Sequence, residues 1–258
     1  MVSKRDPKPP MGLRILTWNI NGLEEKRIGP RMEKLCLEIL VGGDLSAAIA
    51  GKPMPPVPDV LVFQEMTRRA YKGQMRAHLK AAGFELWPAE PPDREDYTLI
   101  AVRPPWRLVS SEWRDFDDSP LRRGCVISII EHKTGHRVRV LSGHMESLRS
   151  GSDARVAQAR EIDGWLHEEE TPAVFAGDTN LRQREWAMVR DDFRAKDAYL
   201  VADSPEFARC TWWPPRGGPG YRFDRVWLTQ GWRLRQLKAK LAHKSTDHAG
   251  VEVLIEHA

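Results

Sequence analysis

Short apolar runs alternate with helical repeats along most of the chain. The runs at 13–18, 59–64 and 173–176 predict strands that are apolar on both faces, as strands buried inside an α/β sheet are. Apolar residues at helical spacing over 32–40 and 156–166 predict amphipathic helices. Further strands are predicted at 98–103, 125–131, 137–142, 223–228 and 251–255, and a further helix at 71–82. The alternation of strands and helices predicts an α/β protein.

Length and composition fit one large domain of this class. The chain has 258 residues, of which 41% are hydrophobic and 29% are charged, and this is sufficient for a substantial core. Residues 1–12 are polar and rich in Pro, so we predict a disordered tail there. No repeat or linker divides the remainder, and we therefore predict a single domain over 13–258.

Charge and cysteine content narrow the partners and the compartment. The net charge of +4 permits binding to nucleic acid but does not require it. No apolar run approaches transmembrane length, so we expect no membrane partner. Cys36, Cys125 and Cys210 lack the spacing of metal ligands. They favour free thiols and an intracellular location, nuclear or cytoplasmic.

Polar side chains stand where the predicted strands end. Asp178, Asn180 and Arg182 directly follow the strand at 173–176 and could orient a water, donate to an oxyanion and hold a phosphate. The other polar residues at strand ends are Asn19, Glu65, His144, Asp224, Asp247 and His248. Each alone also fits a turn, a helix cap or a structural role. Together they predict one site, because ligands bind at the carboxyl ends of the strands in an α/β sheet.

Six motifs occur in a fixed order along nearly the whole chain. They are Thr-Trp-Asn-Ile-Asn-Gly (17–22), Phe-Gln-Glu (63–65), Gly-His-Met-Glu-Ser (143–147), Gly-Asp-Thr-Asn-Leu-Arg (177–182), Arg-Phe-Asp-Arg (222–225) and Thr-Asp-His (246–248). This series resembles the endonuclease/exonuclease/phosphatase superfamily. The resemblance implies a four-layer α/β sandwich, in which two packed mixed β-sheets are flanked by helices. Thr179, Leu181-Arg182 and Thr211-Trp212 are similar to the branch that removes a topoisomerase tyrosine from a 5′-DNA phosphate.

The resemblance also implies a set of site residues. The implied catalytic residues are Asn19, Glu65, Asp178, Asn180, Asp224, Asp247 and His248, and the implied substrate-binding residues are His144, Arg155, Leu181, Arg182 and Trp212. Glu65 would hold Mg²⁺, or Mn²⁺ as a substitute, with support from Asn19 and Asp247. Asp178 would activate the attacking water. His248, its imidazole oriented by a carboxylate, would steady the charge on the phosphate.

The activity implied is metal-dependent hydrolysis of the 5′-phosphotyrosyl bond between DNA ends and trapped topoisomerase, in DNA repair. We expect a monomer that acts on single-stranded or 5′-overhang DNA ends. Asn21 departs from this branch, which usually has Asp, and matches the abasic-site nucleases; Thr246 replaces the usual Ser, and the 41–58 connection is long. An abasic-site endonuclease or another DNA nuclease of the superfamily is therefore the alternative. A catalytically inactive binding protein is disfavoured, because every catalytic group is present.

Overall fold

The protein folds around two mixed β-sheets, and the computed structural model describes residues 11–241 and 245–257. The strands are β1 (Met11–Asn19), β2 (Val60–Met66), β3 (Glu85–Trp87), β4 (Tyr97–Val102), β5 (Trp106–Asp115), β6 (Gly124–His132), β7 (Arg137–Gly143), β8 (Ala173–Asp178), β9 (Lys196–Asp197), β10 (Asp224–Leu228), β11 (Trp232–Lys240) and β12 (Gly250–His257). They form two six-stranded sheets with the orders β11-β12-β1-β2-β4-β3 and β5-β6-β7-β8-β10-β9. In each sheet one pair is parallel, β1 with β2 and β7 with β8, and the other pairs are antiparallel.

Helices cover the outer face of each sheet. They are α1 (Ile28–Val41), α2 (Leu45–Ile49), α3 (Arg68–Ala70), α4 (Arg76–Ala81), α5 (Ser152–Leu166), α6 (Gln183–Val189) and α7 (Ala198–Val201). A π-helical turn at Tyr71–Met75 joins α3 to α4, and a 3-10 turn lies at Glu206–Ala208. None of the helices in the described part of the chain is long and apolar enough to cross a membrane.

Three apolar layers hold the four structural layers together. Side chains alternate between the two faces of a strand, so in β1 Leu13 and Ile15 point into the layer between the sheets, whereas Leu16 and Trp18 pack against the helices. A third cluster lies between the second sheet and helices α5 and α6. The order helices, sheet, sheet, helices confirms the predicted four-layer α/β sandwich.

The structure differs from the sequence prediction mainly at the edges. β1 begins at Met11 and pairs with the end of β12, so the predicted disordered tail over 1–12 is wrong for its last two residues. Residues 1–10 lie outside the described residues. The strands β5 and β11 were not predicted, because each has a half-exposed face that carries charged residues. Helix α2 was not predicted; it lies in the long 41–58 connection, where Asp44 caps its N-terminus.

The three cysteines are unpaired, as predicted. Cys36 and Cys125 are buried and Cys210 is half-buried. Burial raises the pKa of the Cys36 thiol to about 12. Burial raises the pKa of the Cys125 thiol as well, so these two buried thiols are protonated packing groups at neutral pH.

Candidate active site

The site forms where strand ends of both sheets meet. Asn19 ends β1 and lies beside Gln64 of the parallel strand β2, which brings Glu65 to the same edge. In the second sheet Asp178 ends β8, with Asp224 paired to it on one side and His144 bridged to it on the other. The predicted convergence of these residues agrees with the sheet register.

Asp178 is the group that the other catalytic candidates contact. Its Oδ2 accepts from Asn19 Nδ2 at 2.9 Å, and its Oδ1 accepts from the Asn180 amide at 2.9 Å. The same Nδ2 of Asn19 donates to Glu65 Oε1 at 3.0 Å. Asn19 thus joins a carboxylate of one sheet to a carboxylate of the other.

His248 lies between two buried carboxylates. Its Nδ1 is 2.8 Å from Asp224 Oδ2, and its Nε2 is 3.8 Å from Asp178 Oδ2. Burial lowers the pKa of His248, but the charges of Asp224 and Asp178 outweigh it and raise this pKa to about 10. The imidazole therefore carries both protons at neutral pH and presents an N–H where a phosphate oxygen could accept it.

A second imidazole faces Asp178 from the opposite side. His144 Nε2 is 3.5 Å from Asp178 Oδ2, and its Nδ1 contacts Arg123, which also pairs with Asp96 at 3.0 Å. A guanidinium can only donate, so Nδ1 accepts and Nε2 carries a proton towards Asp178. Burial raises the pKa of Asp178, but the charge of His248, the facing His144 imidazole and the hydrogen bonds that the carboxylate accepts together outweigh it and lower this pKa. Asp178 is therefore ionised.

The three predicted metal ligands lie close to one another, but Asn19 suits a cation less well than the two carboxylates do. Glu65 lies at a bulge of β2 with φ 53°, which turns its carboxylate out of the sheet. Both Glu65 and Asp247 are close enough to Arg31 to raise its pKa, although burial lowers it overall. Two carboxylates on one side of the site suit a hard divalent cation. The Asn19 oxygen, however, accepts from the Asn21 amide at 2.9 Å, so Asn19 meets Glu65 with a donor and not with a lone pair.

Another set of possible ligands in the described part of the chain is Asp178, Asp224 and His248. Their ligand atoms lie within 4.8 Å of one another. Because His248 is protonated and bonded to Asp224, it has no lone pair for a metal. This set is better described as an ion-paired triad.

Two predicted substrate contacts disagree with the structure. Arg155 is 0% exposed, and its guanidinium pairs with Glu185 through Nη2–Oε1 at 2.5 Å and Nε–Oε2 at 3.0 Å. Leu181 is 1% exposed and belongs to the cluster beneath α6. Arg155 therefore cannot grip a DNA strand, and Leu181 cannot wedge against a base. The sequence pattern does not show that these two side chains are buried, because Arg155 lies in the first turn of α5 and Leu181 lies just beyond the end of β8.

Of the three remaining predicted contacts, His144 faces Asp178, and Arg182 and Trp212 are half-buried beside the site. Trp212 is half-buried, and its Nε1 donates to Asp247 Oδ2 at 2.8 Å. Arg182 is the N-cap residue of α6, and its Cζ lies 5.7 Å from the centroid of the Phe223 ring. Both side chains are adjacent to the catalytic candidates and remain available to a ligand.

Arg182 also lines a cleft of about 640 Å³, which we call the arginine groove. It is lined by five arginines, Arg182, Arg190, Arg209, Arg222 and Arg225, and by three aromatic residues, Trp186, Tyr199 and Tyr221. Its lining residues include no carboxylate, although Asp197 pairs with Arg222 and Arg225 from behind. Cations with aromatic rings are the composition of single-strand nucleic-acid grooves.

Arg31 is a site residue that the sequence analysis missed. It donates to backbone carbonyls on both loops that carry the site: to Ile20 at 3.1 Å and Asn21 at 2.6 Å after β1, and to Ser245 at 2.8 Å before Asp247. The sequence offers no signal for this role, because Arg31 lies on an ordinary helical turn of α1. It thereby ties the loop after β1 to the loop that carries Asp247.

We expect Arg31→Met to loosen these loops. The carbonyls lose a charged donor, so the free energy of unfolding should fall by about 1.5–3 kcal/mol, and activity should fall with it. Urea unfolding measures the first effect and turnover the second. Arg69→Met, which removes an exposed ion pair with Glu25, is the matched control and should behave like wild type. An Arg31→Met protein with wild-type stability would contradict the assigned role.

Gly22 allows the loop after β1 to lie against Glu65. A Cβ at this position would be 2.0 Å from the Glu65 carbonyl oxygen. We expect Gly22→Ala to displace the Glu65 backbone and to lower kcat by about 10²-fold, since a displacement near 1 Å has that cost. Gly29→Ala is the control, because a Cβ there meets nothing within 4 Å. Equal activity of the two variants would show that Glu65 does not depend on this close approach.

Comparison with known proteins places the chain in a family. The model of the endonuclease/exonuclease/phosphatase family matches residues 16–248, and the chain belongs to that family. A curated relative, tyrosyl-DNA phosphodiesterase 2 of Danio rerio, is 26% identical over 227 residues, which cover 84% of this chain and 56% of the relative. The chain spans about half the length of the curated relatives it matches.

Solved structures share the fold. The crystal structure of D. rerio TDP2 complexed with single-strand DNA product superposes with a TM-score of 0.77 at 23% identity, covering 95% of this chain and 98% of that one. The human Nocturnin catalytic domain with bound sulfate has a TM-score of 0.71 at 19% identity, covering 97% and 94%. At these identities the likeness concerns the fold, and the chemistry has to be argued from the site.

Proposed function

We propose that the chain is a metal-dependent phosphodiesterase that hydrolyses the 5′-phosphotyrosyl bond at DNA ends, in DNA repair. One observation carries the proposal. The ionised Asp178 lies within 4 Å of a protonated His248 and of His144, and a groove of arginines and aromatic rings opens beside it. A base, N–H donors beside it and a cleft for the strand are what hydrolysis of a phosphodiester at the end of a strand requires. The name of the curated relatives, tyrosyl-DNA phosphodiesterase 2, supports the same substrate.

The proposed reaction is an in-line attack of water on the 5′ phosphorus. Asp178 accepts a proton from the water as the new phosphorus–oxygen bond forms. The bond from phosphorus to the tyrosyl oxygen breaks, and tyrosine leaves as a phenolate that solvent protonates. A phenolate is a stable enough leaving group that neutralising the phosphate charge matters more than protonating it.

Two donors are placed to stabilise the phosphate oxygens. His248 Nε2–H points into the site while Asp224 holds the other side of the ring. One N–H of Asn180 is held by the Met145 carbonyl at 3.3 Å, which leaves its second N–H for a phosphate oxygen. Asp178 fixes the Asn180 backbone, which has φ 50°. The base and the donor are thereby held in one geometry.

We propose that Glu65 and Asp247 hold Mg²⁺, with Mn²⁺ as a substitute. Their oxygen atoms fit a hard cation, and Asn19 supports the site by orienting Glu65 and Asp178. When bound, the cation supplies positive charge to the phosphate.

The local backbone explains why Asn stands at position 21, so this residue does not require the abasic-site alternative. Its backbone has φ 50°, a conformation that Asn tolerates better than most residues, and its amide donates to Asn19. The feature that leaned towards an abasic-site nuclease therefore has a local structural reason. That activity remains an outcome of the test below.

Three substrates separate these functions. A single-stranded oligonucleotide with a 5′-phosphotyrosine, an abasic duplex and a generic phosphodiester are each incubated with and without Mg²⁺. We expect metal-dependent release of tyrosine from the first and little reaction of the others. Cleavage of the abasic duplex alone would establish the rival activity, and no release of tyrosine would overturn the proposal.

A further inference from the structure

A second cavity continues from the arginine groove. It has a volume of about 390 Å³ and shares Arg209, Cys210, Pro219 and Gly220 with the groove. Two large aromatic side chains that the groove does not contain line it, Phe207 and Trp213. The two cavities are therefore parts of one surface depression.

Phe207 and Trp213 are unusually exposed for aromatic side chains. Phe207 is 58% exposed and Trp213 is 41% exposed. Large aromatic rings left open beside a charged cleft indicate a binding surface, since a folded chain otherwise gains by burying them.

The position of Trp213 follows from a short paired segment. Trp212 and Tyr221 are bridged by backbone hydrogen bonds of 3.0 and 2.8 Å, and Trp212 also bridges to His248. Neighbouring residues in an extended segment point to opposite sides. Trp212 therefore faces the catalytic groups, and Trp213 faces the second cavity.

The ring of Trp213 is held in place. A Cβ on Gly220 would lie 2.9 Å from its Cδ1, so the ring packs against the bare backbone of Gly220. Only glycine permits this approach. An aromatic ring that is fixed before binding loses little conformational entropy when a base stacks on it.

The charges around the two cavities select an anionic strand. The groove contributes five arginines and no carboxylate, and Glu206, the acidic residue lining the second cavity, pairs with Arg209 at 3.3 Å. Arg225 is 3% exposed and pairs with Asp197, so the guanidinium groups of the groove that a ligand can reach are those of Arg182, Arg190 and Arg209. A chain of phosphates can satisfy these donors while its bases reach the aromatic rings.

We propose that Trp213 and Phe207 form a stacking platform for bases of single-stranded DNA beyond those nearest the cleaved phosphate. The inference rests on the proposed function, because it assumes that the strand leaves the catalytic groups past Arg182 and follows the arginine groove. The platform lengthens the bound segment and makes affinity depend on strand length. It contributes to holding the strand, and the reacting atoms do not touch it.

The test is a length series of 5′-phosphorylated single-stranded oligonucleotides, with dissociation constants measured by fluorescence anisotropy. We expect Trp213→Ala and Phe207→Ala to weaken binding of the longest strands by about fivefold or more while binding of the shortest is unchanged. Removing single bases with abasic linkers locates the stacked nucleotide, and the effect of Trp213→Ala should vanish at that position. Trp213→Phe should retain most of the affinity.

The controls separate platform, fold and proposed function. Trp113→Ala removes a half-buried Trp of β5, an edge strand of the second sheet. This variant should bind every oligonucleotide as wild type does. Equal loss for short and long strands, wild-type binding by Trp213→Ala, or no binding by wild type would each overturn the platform. Length-dependent binding without tyrosine release would preserve the platform and overturn the proposed function.

Discussion

Replacing Asp178 by Asn should lower kcat for phosphodiester hydrolysis by about 10²- to 10⁴-fold. Asn retains the size of the side chain and can still meet the Asn180 amide, so the fold should survive. It removes the charge that faces His248 and His144, and it cannot accept the proton of the attacking water. The measurement is single-turnover hydrolysis at saturating enzyme, which separates chemistry from strand binding.

The Asp178→Asn effect has a clear control. Asp191 is exposed and pairs with the neighbouring Arg190, so Asp191→Asn should retain full activity. Strand binding by Asp178→Asn should stay close to that of wild type, because Asp178 faces donors of the protein. Full hydrolytic activity in Asp178→Asn would mean that another group accepts the proton.

Replacing Arg155 by Met should lower the free energy of unfolding by about 3–5 kcal/mol. The change leaves Glu185 buried without its guanidinium, and the carbonyls of Glu146 and Leu148 lose a donor. Burial raises the pKa of Glu185, but the hydrogen bond from Arg155, together with those from the Arg182 amide and Ser152, outweighs it and lowers this pKa. Without Arg155 that pKa should rise. Denaturant unfolding monitored by Trp fluorescence measures the loss.

The control for Arg155 lies on the same helix. Arg160 is exposed on α5, and Arg160→Met should change stability little. Adding Glu185→Gln to Arg155→Met should recover part of the loss, because an amide is less costly to bury than an unpaired carboxylate. Normal strand affinity of the folded variant would agree with a structural role. A stable Arg155→Met protein with weakened DNA binding would restore the contact predicted from sequence.

The central layers of the fold could be predicted because their strands are apolar on both faces. The run at 173–176 needs no context to be recognised, and Asp178 follows it directly. The edge strand β5 could not be predicted, since its half-exposed charged face resembles a loop. Sheet order and the pairing of Asp178 with Asp224 depend on tertiary contacts that no local pattern encodes.

Residues at the strand ends were predictable for the same reason. Asn19 and Asp178 occupy positions where the sheet register forces convergence. The structural role of Arg155 could not be predicted, because helix periodicity does not show whether a charged residue near a loop faces water or pairs with a buried carboxylate such as Glu185. The role of Arg31 was missed because its acceptors are the backbone carbonyls of Ile20 and Ser245, which are more than 200 residues apart in sequence. Every residue has a backbone carbonyl, so the sequence does not show which ones will accept a hydrogen bond.

The most direct test of the account is the product formed from a 5′-tyrosyl single-stranded oligonucleotide in Mg²⁺. The account predicts a 5′-phosphorylated strand and free tyrosine from wild type, and intact substrate from Asp178→Asn over the same time. A strand cut at an internal phosphodiester, or tyrosine released equally by both proteins, would contradict it.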